Sequence, residues 1–205
     1  PDGSLQTGLE QLMGWNTEKG PRIAFLGTGA QGASIAADFA AAGLDVTFID
    51  QWPAHVEAIR QNGITVNLPK RSFNVAVTAL HLCQVAEVKT PFDLVFIVMK
   101  AYDTKWAAEL IKSVLAEDGL VVGLQNGMTH EDIASVVGRK RAIGAVIEIA
   151  SNMWTPGITN RQNDVDESWF ALGALDPKTQ PRVEAIARIL RNSGRVEVMD
   201  DIKSA

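Results

Sequence analysis

Cysteine is almost missing from this sequence: Cys83 is the only one in 205 residues. That excludes a disulfide framework and a cysteine-based metal site, and it fits a reducing cytoplasm. Lysine and arginine form no extended rich run, and they number 19 against 24 aspartates and glutamates, a formal net charge of -5. A chain of this charge has no electrostatic footprint for nucleic acid as a main partner. No apolar stretch approaches the roughly 18 residues needed to cross a bilayer as a helix, so no membrane partner is expected. Residues 1–20 lack both a basic start and an apolar centre, which argues against a secretory signal. With Gly3, Gly8, Gly14 and Gly20 spread through them, they read as a flexible leader with one turn of helix around residues 9–13. His55, His81 and His130 fall on separate predicted segments without ligand spacing. No metal is expected, and all three read as surface histidines. Cys83 reads as buried and inert.

What is present is organised around residues 22–50. Ile23-Ala24-Phe25-Leu26 is a short apolar run that ends in Gly27-Thr28-Gly29-Ala30-Gln31-Gly32. A helical pattern follows, with Ile35, Ala36, Phe39 and Ala40 on one face, and stops at Gly43. Val46-Thr47-Phe48-Ile49 is a second apolar run, closed by Asp50, eighteen positions beyond the third glycine. Strand, glycine turn, helix, strand and terminal acid is the order of a dinucleotide-binding βαβ unit. In such a unit Gly27 permits the tight turn and Gly29 lets a pyrophosphate approach the backbone. Gly32 lets the helix lie against its strand, so that free N–H groups at the helix start face the phosphates. The expected cofactor contacts are therefore Gly27, Thr28, Gly29, Ala30, Gln31, Gly32 and Asp50.

The remainder reads as further strands and helices. Pro53 opens a helix through Val56 and Ile59 to a stop at Asn62-Gly63. Residues 64–68 and 73–77 alternate like strands joined by a hairpin loop at 69–72. Residues 93–98 form an apolar run suited to a central parallel strand. Asp103 can cap a helix whose Trp106, Leu110, Val114 and Leu115 make one apolar stripe. Residues 119–124 are another buried strand running into Gln125-Asn126-Gly127. Thr129 and Asp132 stand at capping-box spacing, with Met128 and Ile133 as the flanking staple. Residues 142–150 and 169–172 read as strands around a turn at Pro156-Gly157, in an antiparallel section. Pro177 opens a last helix with Val183, Ile186, Ile189 and Leu190 inward, and Val196-Glu197-Val198 is a last strand. The predicted class is α/β: a Rossmann-type doubly wound, mainly parallel sheet with added antiparallel strands near the C-terminal end. The expected layout is a leader at 1–20, a dinucleotide-binding domain at 21–199 and the start of a connection at 200–205.

The GTGAQG turn, the strand end Lys100-Ala101-Tyr102-Asp103 and the Leu124-Gln125-Asn126-Gly127-Met128 turn together resemble the ketopantoate reductase family. The later Pro156-Gly157, Ala171-Leu172-Gly173 and Met199-Asp200-Asp201-Ile202-Lys203 are also similar to that family. The resemblance spans residues 21–205. It implies reduction of 2-dehydropantoate, a small 2-oxo acid, to its 2-hydroxy acid with a nicotinamide cofactor. It also implies that Lys100 and Asn126 stand at the active-site cleft, near cofactor and substrate. In this family the proton-donating lysine comes from a following helical domain, and no such lysine is found in residues 1–205. The chain therefore reads as the cofactor-binding part, expected to be inactive alone and able to pair with a second copy as a homodimer.

Cofactor choice rests on Asp50-Gln51-Trp52, where NADPH-using members place a basic residue. A carboxylate there accepts hydrogen bonds from ribose hydroxyls and repels a 2′-phosphate, which favours NAD(H), with NADP(H) as the family alternative. Two other readings of function stay open. One is an NAD-dependent D-2-hydroxyacid dehydrogenase of mandelate type; the other is a non-catalytic nucleotide-binding sensor module. Glu148 reads equally as a cleft carboxylate or a satisfied structural one. Trp52 reads as an adenine cover or an exposed loop tryptophan.

Overall fold

The computed structural model describes Trp15 and residues 20–204, so the helical turn expected at residues 9–13 lies outside the described residues. The described chain has twelve strands, arranged in two sheets, and five α-helices. The large sheet begins with β1 (Arg22–Leu26), α1 (Ala30–Ala41), β2 (Asp45–Asp50) and α2 (Pro53–Asn62). β3 (Ile64–Asn67) and β4 (Ser72–Val75) form a hairpin, and β5 (Thr78–His81) returns to the large sheet. β6 (Phe92–Ile97), α3 (Thr104–Lys112), β7 (Leu115–Leu124), α4 (His130–Val137) and β8 (Ala142–Glu148) follow. β9 (Ser151–Thr155), β10 (Ile158–Arg161), β11 (Trp169–Ala174), α5 (Gln180–Leu190) and β12 (Arg195–Val198) complete the order.

The eight-stranded sheet runs β12-β11-β8-β7-β6-β1-β2-β5. Every pairing in it is parallel except β8 with β11. This is the Rossmann-type, mainly parallel sheet expected, with antiparallel pairing near its C-terminal end. Because β2 lies to one side of β1 and β6 to the other, the strand order reverses at β1. In open α/β sheets ligands bind outside the carboxyl ends of the strands at such a point.

Directly beneath it sits an aromatic cluster. Phe25 stacks on Phe96 at 4.7 Å, and Phe39 meets both edge-on at 5.3 and 5.5 Å. Each such pair contributes about 0.5–1.5 kcal/mol beyond its buried area. The cluster therefore ties β1, α1 and β6 together at the level of the glycine turn.

The second sheet, β4-β3-β10-β9, covers the opposite side of α1. The helix is consequently buried all round from Gly32 to Phe39, rather than on the one face its pattern suggested. Small residues (Ala33, Ser34, Ala36, Ala37) make that double packing possible. Asp38, the one charge inside, meets Arg161 of β10, whose Nη1 donates to its Oδ2 at 2.7 Å. The other guanidinium arm donates to Ser168 Oγ at 2.6 Å and to the Ser193 carbonyl. The pair binds the small sheet, α1 and the end of α5 into one unit.

Several local expectations are corrected. The helix expected to open at Pro177 begins at Gln180, with Pro181 in its first turn. α3 stops at Lys112, so Val114 and Leu115 belong to the next turn and strand; its inward face is Ala107, Ala108 and Ile111, and Trp106 is 38% exposed. Asp103 makes no backbone cap, because its Oδ1 accepts the Trp106 indole N–H at 2.8 Å instead. Thr129 makes no capping box either: its hydroxyl donates to Gln125 Oε1 at 2.8 Å, and Met128, at 67% exposure, forms no staple. Cys83 is exposed. Trp15, inside the stretch expected to be loose, is buried against the core. No helix among the described residues is long and apolar enough to cross a membrane.

Candidate functional site

At the switch point the three glycines have three separate physical reasons. Gly27 has φ +91°, and a Cβ there would lie 2.5 Å from Met99 Cγ and 3.0 Å from the Val98 carbonyl oxygen. Its N–H donates to Ile49 O at 2.9 Å, fastening the turn to β2, while Val98 N–H donates to Leu26 O at 2.9 Å on the β6 side. A Cβ on Gly32 would lie 2.1 Å from the Gly27 carbonyl oxygen, closer than atoms can come. Gly29 differs: its φ of -64° is ordinary, and a Cβ would meet nothing within 4 Å. No contact within the protein demands glycine at this position. The space it leaves open is the mouth of the cleft, in front of the first turn of α1, which no side chain caps. The first N–H groups of an uncapped helix carry partial positive charge and favour an anion.

The cleft has a volume of about 480 Å³. Gly27, Gly29, Ala30, Gln31 and Gly32 form its floor, Asp50, Gln51 and Trp52 one side, and Val98 to Lys100 another. Tyr102, Asp103, Leu82, Ser151 and Met153 complete the lining. Of the residues expected here from sequence, Thr28 is fully buried behind the turn and Asn126 is not part of the lining. Lys100 is exposed at the mouth.

Asp50 is only 8% exposed. Its Oδ2 accepts Thr28 N–H at 2.7 Å and Thr28 Oγ1–H at 3.1 Å, and its Oδ1 accepts Trp52 N–H at 2.9 Å. A carboxylate offers about four acceptor positions, so one is left, on Oδ1. Gln31, expected as a cofactor contact of the glycine turn, donates Nε2–H to Ile149 O at 2.8 Å and ties α1 to the end of β8. Asn126 braces β7 against β8: its Nδ2 donates to Ile147 O at 3.1 Å, and its Oδ1 accepts Ile147 N–H at 3.2 Å. One N–H and one lone pair of the amide remain for another partner, and the residue is exposed. The buried Gln125 beside it donates Nε2–H to Met99 O at 2.7 Å, which fixes the β6 end carrying Lys100. Glu148 is exposed and has no place in the cleft lining.

The histidines were misjudged from sequence. His55 is fully buried and His130 is 6% exposed; His81 is half-buried and holds Glu57 Oε1 at 2.8 Å. His55 links Thr28 O, at 2.8 Å, to the N–H of Gly157, at 2.9 Å. A signal for its burial was present, since it stands beside Val56 and one turn before Ile59 on the inward stripe of α2. Trp52, 39% exposed, lies across the His55 ring at 5.8 Å and lines the cleft. Ser151 and Met153 reach the cleft from β9, an arrangement no local pattern announces because it depends on the small sheet folding over α1.

The same architecture occurs in known proteins. Residues 23–176 match the family described as ketopantoate reductase PanE/ApbA. The 2-dehydropantoate 2-reductase of Archaeoglobus fulgidus is 29% identical over 183 residues, covering 89% of this chain and 57% of the relative. The chain therefore spans little more than half the length of that relative. The crystal structure of 2-dehydropantoate 2-reductase from Geobacter metallireducens superposes with a TM-score of 0.79 at 28% identity, covering 89% of this chain and 59% of that one. A ternary structure of D-mandelate dehydrogenase with NADH and anilino(oxo)acetate reaches the same TM-score at 23% identity, over 88% of this chain and 57% of that one, a likeness of fold. The glycine turn, the switch-point sheet and a match over three quarters of its length agree: the chain belongs to the PanE/ApbA ketopantoate reductase family.

Proposed function

We propose that the cleft holds a nicotinamide dinucleotide, NADH in preference to NADPH, and that the protein serves reduction of a small 2-oxo acid, 2-dehydropantoate. The observation that carries this reading is Gly29. It is a glycine with ordinary φ and no neighbour within 4 Å of its missing Cβ, facing an uncapped helix start. Packing does not require it, but a pyrophosphate lying against the backbone would.

In this reading Gly27 to Gly32 hold the phosphates through backbone N–H groups, and the remaining acceptor position of Asp50 Oδ1 takes one ribose hydroxyl. The sequence alone suggested a carboxylate free for both hydroxyls; the three donors already on Asp50 leave room for one. A 2′-phosphate would meet this carboxylate with no basic residue among Asp50, Gln51 and Trp52 to balance it. Lys100 supplies a cation at the mouth for the substrate's carboxylate. Asn126 offers its spare N–H toward the reacting end while bracing the ends of β7 and β8. When bound, the nicotinamide supplies the hydride.

An acid must also protonate the new alkoxide. No lining residue has a clear claim to that role, and we place it on a group outside residues 1–205. The mandelate-type and sensor readings share this cofactor cleft and differ in what happens beside it. Steady-state NADH oxidation by the whole gene product separates them. Turnover with ketopantoate supports the proposal; turnover with phenylglyoxylate alone supports the mandelate type; none with any 2-oxo acid supports a sensor.

A further inference from the structure

We propose that His55 is a positioning residue for the dinucleotide cleft: its neutral, Nε2-protonated ring locks the glycine turn to the β9–β10 turn, and protonating the ring releases the lock and weakens NADH binding. The inference rests on the dinucleotide reading for its ligand and on the local geometry for its lock.

The tautomer follows from its two neighbours. Gly157 presents an N–H at 2.9 Å, so His55 Nδ1 must accept. A neutral imidazole has one donor and one acceptor, so Nε2 carries the hydrogen and donates to Thr28 O at 2.8 Å. An imidazolium has two donors. Its Nδ1–H would face the Gly157 N–H, donor against donor, and one of the two bonds would be lost.

Neither neighbour is free to rearrange in place. The N–H and hydroxyl of Thr28 are held by Asp50, and its carbonyl completes the grip. Gly157 has φ +76° and packs on Ala58 of α2, where a Cβ would stand 3.1 Å from the alanine Cβ. The ring itself is 0% exposed, roofed on the cleft side by the Trp52 indole. The lock therefore joins two walls of the cleft: the glycine turn, and the hairpin whose β9 carries Ser151 and Met153.

The charged group facing the ring is the Asp50 carboxylate at the end of β2. The glycine turn and the turn at Thr155-Pro156-Gly157 contain no titratable side chain. On its own helix, Glu57 is turned toward Arg60 and His81. Burial holds His55 below the ordinary histidine value of 6.5, with Asp50 pulling partly the other way. A histidine so lowered contributes its stabilisation above the ordinary value and loses it as pH falls through the folded value. The window for release accordingly lies below pH 6.5.

Two measurements test the lock. In the first, imidazole and backbone amide resonances of the cofactor-free protein are followed from about pH 8 to about pH 5. The amides of Gly27, Thr28, Gly29 and Gly157 should shift together with the His55 ring. In the second, NADH affinity is measured over the same range by fluorescence, for the unaltered protein and for His55→Gln. The unaltered protein should bind with constant affinity in the upper range and then weaken by up to about tenfold per pH unit, the limit for one proton. His55→Gln keeps a donor for Thr28 but cannot become charged. It should bind roughly two- to tenfold more weakly near neutrality, as one lost neutral hydrogen bond implies, and show no such fall. Glycine-turn amides that ignore the titration of His55, or the same acid fall in His55→Gln, would overturn the proposal. Should NADH not bind at any pH, the dinucleotide reading fails and the cofactor-free amide shifts alone decide the lock. They decide it equally if the variant does not fold.

Discussion

One carboxylate oxygen of Asp50 receives both the backbone N–H and the hydroxyl of Thr28, at 2.7 and 3.1 Å. The acid that closes β2 is thus part of the glycine turn's own support as well as the residue facing a ribose. Hydrogen bonds to a charged group contribute about 1.5–3 kcal/mol each when broken. Asp50→Ala should lower thermal stability measurably, weaken NADH and narrow the gap between NADH and NADPH. A variant that loses only cofactor preference, at full stability, would show that the carboxylate serves the ligand alone.

The two later glycines of the turn should respond oppositely to one added methyl group. Gly29→Ala has open space and an ordinary φ, so its melting temperature should match that of the unaltered protein while NADH binding weakens. Gly32→Ala drives a Cβ to 2.1 Å from the Gly27 oxygen and should destabilise by about 1–3 kcal/mol or more, as overpacking does. Calorimetry and cofactor titration on both variants check the contrast. A Gly29→Ala protein with undiminished NADH affinity would remove the reason given for that glycine.

Asn126→Ala removes a donor and an acceptor from the Ile147 backbone at the edge of the site. Two neutral hydrogen bonds correspond to about 1–3 kcal/mol. Denaturant unfolding without cofactor should show that loss, which a residue serving only the ligand would not produce.

Arg161 is 2% exposed and Asp38 5%, so removing one leaves the other buried without its partner. Arg161→Met should cost about 3–5 kcal/mol. Burial already holds the Asp38 carboxyl above its ordinary 3.8, and Arg161 draws it back down. Without the arginine its folded value rises further. A carboxyl so raised is stabilising below its unfolded value and loses that contribution as pH climbs through the folded one. Arg161→Met should therefore recover part of its loss toward acid pH, and the double variant Arg161→Met with Asp38→Leu should recover much of it at neutral pH. Chemical denaturation across pH reads both.

The sequence made the βαβ unit legible because each of its signals is local: an apolar run, a glycine turn, a helix of fixed period, an acid at fixed distance. What escaped depends on distant pairing. β4 and β5 are separated only by Ala76 and Val77, yet they join different sheets, and the alternating pattern at 73–77 stops short of the four-residue β5, which has no separate signal. β3 pairs with β10 across some ninety residues, which no local rule announces. From that pairing follow the burial of Asp38 and Arg161, the place of Ser151 and Met153 in the cleft, and the interior position of His55. Thr129 and Asp103 had the right spacing to cap helices, but the side chains of Gln125 and Trp106, four and three residues away, took their oxygens, and these local side-chain bonds replaced the backbone caps.

The most direct test of the central claim is a fluorescence titration of residues 1–205 with NADH and with NADPH, side by side. If the turn at Gly27 to Gly32 holds the dinucleotide and Asp50 selects its ribose, both signals saturate and NADH binds more tightly by about 1–3 kcal/mol, the penalty of an unmatched charged group. Equal or tighter binding of NADPH would contradict the role given to Asp50, and no saturable binding of either would contradict the cleft itself.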